Sequence, residues 1–446
     1  MIQNSKPNIL FIIIDSLRVD RIIGPLKTAK TTNFNKLINS GIFFDHTIAS
    51  SDTTYLNVGS IFTSQYPFKS KIDVYNNHQK VSKFFQNLSE NDFFKCALVP
   101  NTSFFRTITK NFEKTDFIEI NPNQSLENGI GDKLLKQLET NSQKSPWIYY
   151  IHLLDLHPTK NKFLIPKKYS NEKFGQSPYD QTVSIIDDWL GKILENIDLN
   201  NTLIVVTSDH GEYISKHKEL VYNVGNIEQT FKKLKKYFPF FESIGTKLFL
   251  TLRKIIFEKR KAKLKKSLNE NEIRSLNSRL SWDLYDEIIR VPLIFAGYGI
   301  NHLDLIDKQI HHMDIIPTIN DLLQLSNEKN IDGRSLLPIM NGMILDEKPI
   351  YLENATNDPN SPSNVIGIRT PNYKMYKPRL DKKRPIKLFD LKNDSLELYN
   401  LSEKEPLIVK KLSKMMDKIQ QSNFNNEKEF LKKRIQKKRK LLNLKE

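Results

Sequence analysis

The chain has 446 residues, with 68 Lys or Arg against 51 Asp or Glu, and a formal net charge of +17. This length and a hydrophobic fraction of 39% allow one large domain with a smaller one, and the single cysteine, Cys96, excludes an intramolecular disulfide. The first apolar run, residues 9–14, is too short for a membrane span or a signal sequence, so we expect a cytoplasmic protein that starts at Met1.

The positive charge is concentrated in two segments. Residues 228–280 hold 15 basic against 5 acidic side chains, and residues 410–446 hold 13 against 4, so the rest of the chain is close to neutral. We therefore expect an anionic partner to bind these two basic segments rather than the whole surface of the fold.

Short apolar runs alternate with helical patterns along the first 300 residues. Buried strands are predicted at residues 7–14, 94–99, 144–154, 201–207 and 291–296, with a further strand-like run at 41–44. Helices are predicted at residues 32–40, 81–88 and 178–194. This alternation predicts an α/β fold with a large, mostly parallel central sheet flanked by helices.

The pattern changes after residue 345. Runs at 351–353, 365–369, 373–377 and 386–391 are split by Asn, Asp and Pro turns, which predicts a small antiparallel C-terminal subdomain. Residues 407–444 are typical of a basic helix.

Polar residues follow three of the predicted strands. They are Asp15, then Asp155 and His157, then Asp209 and His210. Because ligands bind beyond the carboxyl ends of parallel strands, we expect a convergent site there.

Residues 49–67 supply a fourth component of this site. After the strand-like run, Ser50 to Thr54 precede a helical pattern, and a helix start of this kind can bind an anion. A hydroxyl there is a candidate nucleophile if its pKa is lowered, although an ordinary N-cap gives the same pattern.

Asp15, Asp209 and His210 offer hard oxygens and an imidazole, which suit Mg²⁺, Mn²⁺, Ca²⁺ or Zn²⁺. A metal here would lower the pKa of a threonine hydroxyl, and His157 would bind or protonate an ester oxygen. Helix capping by Asp and hydrogen bonding by His are the alternatives.

The order of these motifs resembles the sulfatase family of the alkaline-phosphatase superfamily. The matching stretches are NILFIIIDSLRVD, the segment that ends in TSQYP, HLLDLHPTK, TSDHGE, YDEIIRVPLIFAGYGI, HHMDIIPTINDLL, DGRSLLPIMNG and LFDLKNDSLELYNL. The similarity spans residues 7–401 apart from one insertion, and it implies an alkaline-phosphatase-like fold.

The resemblance also implies roles for individual residues. Aligning back from Pro67 places Thr54 at the nucleophile position. The implied catalytic residues are Thr54 and His157, the implied ligands of one divalent metal are Asp15, Thr54, Asp209 and His210, and the implied substrate-binding residues are Asn101, Asp155, His217 and Lys218.

Several positions depart from the family's pattern. Thr54 stands where sulfatases carry the Cys that is oxidised to formylglycine, so that aldehyde cannot form. Asn57 and Val58 replace the motif's Ser and Arg, Ser16 replaces a second metal-binding Asp, and residues 101–103 replace a Lys and a His. The Thr is closer to the superfamily's phosphoester hydrolases and phosphoglycerol or phosphoethanolamine transferases.

The insertion lies between His217 and the segment at 285–300. Its second part alternates leucines and isoleucines with Lys and Arg, as in a basic amphipathic helix that lies on an anionic membrane surface. A solvated helical hairpin is the alternative, and nucleic acid is less favoured because no nucleic-acid motif accompanies the charge.

We therefore expect a catalytic domain over residues 1–345 with a basic insertion at about 223–281, a subdomain over 346–405 and a basic tail over 406–446. The predicted function is a cytoplasmic hydrolase, with peripheral contact at the inner membrane face, that cleaves a sulfuric or phosphoric ester of a glycan or lipid head group. The alternatives are a phosphotransferase on the same fold, and an inactive protein that binds polyanions or a membrane surface.

Overall fold

The computed structural model describes residues 6–72, 80–121, 123–141, 144–157, 165–214, 255–260, 262–264, 266–268, 270–276, 283–301, 305–354, 364–381 and 383–421. The chain divides into two compact units, Met1–Glu212 with Trp282–Glu446, and Tyr213–Ser281. Most of the second unit lies outside the described residues; residues 255–260 and 262–264 of it are helical. No helix in the described ranges combines the length and the apolar character needed to cross a bilayer.

The first unit is built on an eight-stranded mixed sheet in the order β4-β3-β5-β1-β6-β7-β2-β8. Its strands are β1 Asn8–Ile14, β2 Ile42–Ile48, β3 Phe94–Pro100, β4 Lys114–Ile118, β5 Trp147–Leu153, β6 Thr202–Thr207, β7 Arg290–Gly297 and β8 Ile310–His311. The central strand β1 is parallel to both β5 and β6, whereas β7 is antiparallel to both of its neighbours. The predicted large, mostly parallel sheet is confirmed.

The helices follow the predicted pattern. They are α1 Thr32–Ser40, α2 Thr54–Thr63, α3 Pro67–Ser70, α4 Ser82–Ser89, α5 Ser103–Ile108, α6 Ile130–Asn141, α7 Pro178–Glu195, α8 Glu270–Ser275, α9 Asp286–Ile289, α10 Ile315–Leu322 and α11 Leu337–Met340. All seven residues of β1 are buried, which is why residues 9–14 of this strand form a continuous apolar run instead of an alternating one.

The core holds α2 against the sheet. Phe62 near the end of α2 packs edge-on against Phe11 of β1 at 5.5 Å between ring centroids, and against Tyr150 of β5 at 5.2 Å. Val58, one turn earlier, is fully buried in the same cluster. This packing fixes the axis of α2, and with it the position of the helix N-terminus at Thr54.

A separate four-stranded antiparallel sheet follows, in the order β12-β11-β10-β9. Its strands are β9 Ile350–Glu353, β10 Val365–Arg369, β11 Tyr373–Pro378 and β12 Lys387–Asp390. Residues 406–421 form a helix whose Leu412 and Met416 pack on this sheet. The predicted antiparallel subdomain is confirmed, while the predicted basic tail beyond residue 421 lies outside the described residues.

Candidate active site

The central strands bring the predicted site residues to one edge of the sheet. Ile13 of β1 pairs with His152 of β5 on one side and with Thr207 of β6 on the other. Because the three strands are parallel and in this register, Asp15 and Asp209 both emerge just beyond the strand ends.

Four of the predicted residues meet there. One ligand atom each from Asp15, Asp209 and His210 lies within 4.8 Å of the others, and all three side chains are buried. Thr54 Oγ1 lies 3.3 Å from Asp15 Oδ2 and 3.3 Å from His210 Nε2. The segment that contains α2 and the two strand ends therefore converge on one point.

Neighbouring groups orient these side chains. His210 Nδ1 lies 2.9 Å from the carbonyl oxygen of Gly211, so Nδ1 donates its proton there and the Nε2 lone pair faces Thr54. Ser16 Oγ donates to Asp15 Oδ1 at 2.6 Å, and the Ser16 N–H donates to Asp209 Oδ1 at 3.2 Å. Asp15, Asp209 and His210 thus each have a hydrogen-bond partner that orients the side chain, as in metal sites with ordered outer partners.

Arg18 ties together the loops that carry the two aspartates. It forms a two-pronged ion pair with Asp20, donates to the Glu212 carbonyl oxygen at 3.2 Å, and contacts Glu287 Oε1 at 3.2 Å. These carboxylates raise the pKa of the buried Arg18 guanidinium above its usual value, although burial alone would lower it. The DSLRVD stretch therefore contributes a structural ion-pair cluster around Arg18 beside Asp15, the predicted metal ligand.

The start of α2 is fixed by side chains on both sides. Asn57 Oδ1 accepts from the Ser51 N–H at 2.9 Å, and Asn57 Nδ2 donates to the Ser51 carbonyl oxygen at 2.7 Å. His311 Nε2 and His312 Nε2 lie 3.0 Å and 3.3 Å from Ser50 Oγ. Burial lowers the pKa of both histidines, that of His312 to about 3, so they are neutral.

Three residues predicted to bind substrate or act in catalysis are not among the four that meet at the strand ends. Asn101 Oδ1 accepts from Arg106 Nε at 2.7 Å, and Asp155 Oδ1 accepts from the Leu126 N–H at 2.9 Å. His157 lies in the turn after β5, where its N–H donates to Leu154. Their roles in catalysis or substrate binding stay predictions. His217 and Lys218 lie outside the described residues.

His152 was missed by the sequence analysis. It lies inside β5 and is fully buried, with Nε2 3.8 Å from Asp15 Oδ2 and 3.9 Å from Asp209 Oδ2. The available signal was a single polar residue in the otherwise apolar and aromatic run WIYYIHL, because a buried strand places such a residue inside the protein.

The site fits a divalent cation. Among the described side chains, the buried atoms Asp209 Oδ2 and His152 Nε2 have no hydrogen-bond partner. A buried carboxylate oxygen without a partner is costly, and a cation at this position would remove that cost. The donors are oxygen and nitrogen atoms, which the hard and borderline divalent metals accept.

Comparison with known proteins identifies two matching family models and several relatives. The family model described as "Sulfatase" matches residues 7–325, and the model described as "N-sulphoglucosamine sulphohydrolase, C-terminal" matches residues 278–423. A choline-sulfatase of Rhizobium meliloti (strain 1021) is 36% identical over 127 residues, which are 27% of this chain and 23% of the relative. Arylsulfatase K of Gallus gallus is 29% identical over 142 residues, 30% of this chain and 26% of the relative. The alignments therefore span about a quarter of the length of these two curated relatives.

Solved structures share the fold. One structure in complex with its substrate D-glucosamine-2-N,6-O-disulfate has a TM-score of 0.64 at 14% identity, over 94% of this chain and 99% of that chain. The phosphonate monoester hydrolase of Agrobacterium radiobacter has a TM-score of 0.63 at 14% identity, over 94% and 96% of the two chains. At these identities the likeness shows the alkaline-phosphatase-like fold.

Proposed function

The chain belongs to the sulfatase family, and we propose that it is a metal-dependent hydrolase that cleaves a sulfuric or phosphoric ester with Thr54 as nucleophile. The observation that carries the proposal is the position of Thr54 Oγ1, 3.3 Å from both Asp15 Oδ2 and His210 Nε2. A threonine hydroxyl is a weak nucleophile by itself, and these neighbours are the groups able to activate it through a metal.

The proposed ligands are Asp15, Thr54, Asp209 and His210. Their oxygen and nitrogen donors suit Ca²⁺, Mg²⁺, Mn²⁺ or Zn²⁺. When bound, a divalent ion would lower the pKa of the Thr54 hydroxyl, whose proton then passes to solvent.

The chain's own groups account for the remaining steps. Thr54 Oγ forms a bond to the sulfur or phosphorus atom, and the bond to the alcohol oxygen breaks. His157 donates a proton to that departing oxygen, as the family resemblance implies. The N–H groups of the first turn of α2 precede the first intrahelical hydrogen bond, so they would bind the ester's non-bridging oxygens. Attack by water on the Thr54 ester then releases sulfate or phosphate.

The proposed substrate is an anionic glycan or lipid-linked ester. Support comes from what related proteins are named for: a choline-sulfatase, a phosphonate monoester hydrolase, and a fold neighbour bound to a disulfated glucosamine. Asn101, Asp155, His217 and Lys218 are proposed to bind it. Contact with an anionic membrane through residues 228–280 and the C-terminal tail is supported by the charge of these segments alone.

The nucleophile also favours a second candidate, a phosphotransferase. A phosphothreonine at residue 54 can be discharged to a second hydroxyl instead of water, with the same first step. An inactive protein that only binds polyanions is less favoured, because Thr54, Asp15, Asp209 and His210 keep mutual distances suited to one metal.

The test compares aryl sulfate with aryl phosphate turnover by the purified protein in the presence of each of the four metals. Thr54→Ala is expected to abolish turnover. Thr63→Ala, at the opposite end of the same helix, is the control and is expected to keep it. Unchanged turnover in Thr54→Ala would refute the proposal, and release of product only when an alcohol acceptor is present would select the transferase.

A further inference from the structure

We propose that His152 is an additional ligand of the active-site metal, and that it shifts the site's preference towards a transition metal such as Zn²⁺ and away from Mg²⁺ and Ca²⁺. The inference rests on the metal-dependent function proposed above. None of the sequence motifs described above implies His152 as a metal ligand.

The first argument is the position of the ring. His152 Nε2 lies 3.8 Å from Asp15 Oδ2 and 3.9 Å from Asp209 Oδ2. Hydrogen bonds require about 2.7–3.2 Å, so these separations are too long for direct bonds. Two ligands that each sit about 2.0–2.2 Å from one zinc ion are roughly 3–4 Å apart.

The second argument is the hydrogen-bond balance. Within the described residues, His152 Nε2 and Asp209 Oδ2 are buried atoms without a hydrogen-bond partner, and they lie 3.9 Å apart. Asp209 Oδ2 also lies 3.3 Å from His210 Nε2, which is another proposed ligand atom. A buried ring nitrogen and a buried carboxylate oxygen left without a hydrogen bond are both unfavourable. One cation between them gives each atom a partner.

The third argument is how the ring is held. The Tyr150 hydroxyl lies 3.2 Å from His152 Nδ1, and the Phe105 ring packs edge-on at 4.9 Å between centroids. A hydrogen-bond partner on the outer nitrogen is what fixes ring orientation in metal-bound histidines. Here it leaves Nε2 directed at the two carboxylates.

The additional nitrogen changes the donor set. With His152 the site offers two imidazoles, two carboxylates and one hydroxyl, instead of a single imidazole among oxygens. Imidazole favours Zn²⁺ and related transition metals, whereas Mg²⁺ and Ca²⁺ prefer oxygen donors. We therefore infer that the second imidazole is what separates Zn²⁺ from Mg²⁺ at this site.

The first experiment measures Zn²⁺ and Mg²⁺ affinity of the chelator-stripped full-length protein by titration calorimetry. His152→Gln is expected to weaken Zn²⁺ binding at least about tenfold and to change Mg²⁺ binding little. The matched control is His157→Gln, which removes an imidazole that is not a proposed ligand and is expected to leave Zn²⁺ affinity unchanged. Unchanged Zn²⁺ affinity in His152→Gln, or equal losses for both metals, would overturn the inference.

A second measurement needs no variant. Pulsed electron paramagnetic resonance on the Mn²⁺-loaded wild-type protein counts the imidazole nitrogens bound to the ion. We expect two, and a count of one overturns the inference. A count of one together with turnover lost in Thr54→Ala would leave the proposed function standing, whereas turnover retained in Thr54→Ala would refute that function whatever the nitrogen count.

Discussion

Ser16 Oγ donates a hydrogen bond of 2.6 Å to Asp15 Oδ1. Ser16 occupies the position at which the sulfatase motif has a second metal-binding Asp, and its backbone has a left-handed φ of 65°. That conformation directs the Ser16 N–H to Asp209 Oδ1 at 3.2 Å. Ser16 thus orients the carboxylates of both Asp15 and Asp209. Where the sulfatase motif has a metal-binding Asp, this chain has a residue that positions two proposed ligands.

Ser16→Ala should weaken metal binding. The variant keeps the backbone contact with Asp209 but removes the hydroxyl that fixes the Asp15 carboxylate. We expect a loss of about 10-fold to 100-fold in metal affinity, as for other outer partners of metal ligands. Competition with a coloured chelator measures it, and Ser40→Ala on the exposed end of α1 is the control. Equal affinities of the Ser16→Ala and wild-type proteins would contradict this role.

Asn57→Ala should lower turnover without removing a reacting group. The Asn57 side chain forms two hydrogen bonds with the backbone of Ser51. Removing that side chain removes both bonds from the loop that precedes Thr54. Two buried backbone groups would lose their partner, which costs roughly 1–3 kcal/mol each. The expected result is a lower kcat and a lower melting temperature. A variant with wild-type kcat would show that the loop holds its shape without this side chain.

Gly211→Ala should disturb the proposed metal site through the backbone. A Cβ atom at Gly211 would lie 2.0 Å from the Glu287 carbonyl oxygen, so the chain next to His210 must move. Displacements of this kind cost about 1–3 kcal/mol of stability. Gly211 does not have a left-handed φ, so the clash is the only expected cost there. Gly342→Ala, where φ is +78° but nothing lies within 4 Å, gives the cost of backbone strain without a clash for comparison.

Urea unfolding and metal titration should both show a larger loss for Gly211→Ala than for Gly342→Ala. If the two variants lose the same stability and bind metal equally well, the close approach to Glu287 is not what requires glycine at residue 211.

Asp314 should make stability depend on pH. Its carboxylate is buried and accepts the N–H groups of Arg334 at 2.9 Å and His311 at 3.0 Å. Burial raises the pKa of Asp314 to about 6, from an ordinary value of 3.8. The folded state therefore binds the proton more tightly, so this contribution is complete below about pH 4 and is lost as the pH rises through 6.

Asp314→Asn removes that contribution. The unfolding free energy of the wild-type protein minus that of the variant should increase by about 2 kcal/mol when the pH falls from 7 to 4.5. Urea unfolding at the two pH values measures it, with Asp321→Asn at the exposed end of α10 as the control. A difference that stays constant with pH would refute the assignment.

The sequence by itself determined most of the architecture. Residues 9–14 and 203–206 are apolar throughout because both faces of these strands are buried, and this pattern needs no tertiary information to be recognised. The Asp and His residues were identifiable because strand ends are local features, and the hydroxyl-rich helix start is another local feature. Within that helix start, the family resemblance was needed to select Thr54. Their meeting within 4.8 Å or less follows from parallel strands that end at one edge.

Only the tertiary structure decided which other residues join them. His152 lies in a strand in which every residue is buried, so burial does not single it out. Its distance from Asp209 depends on the register of β5, β1 and β6. The left-handed conformation of Ser16, and the use of Asp155 Oδ1 to accept from Leu126, depend equally on distant partners. A sequence records residue types and spacing, whereas these contacts are set by packing between segments far apart in the chain.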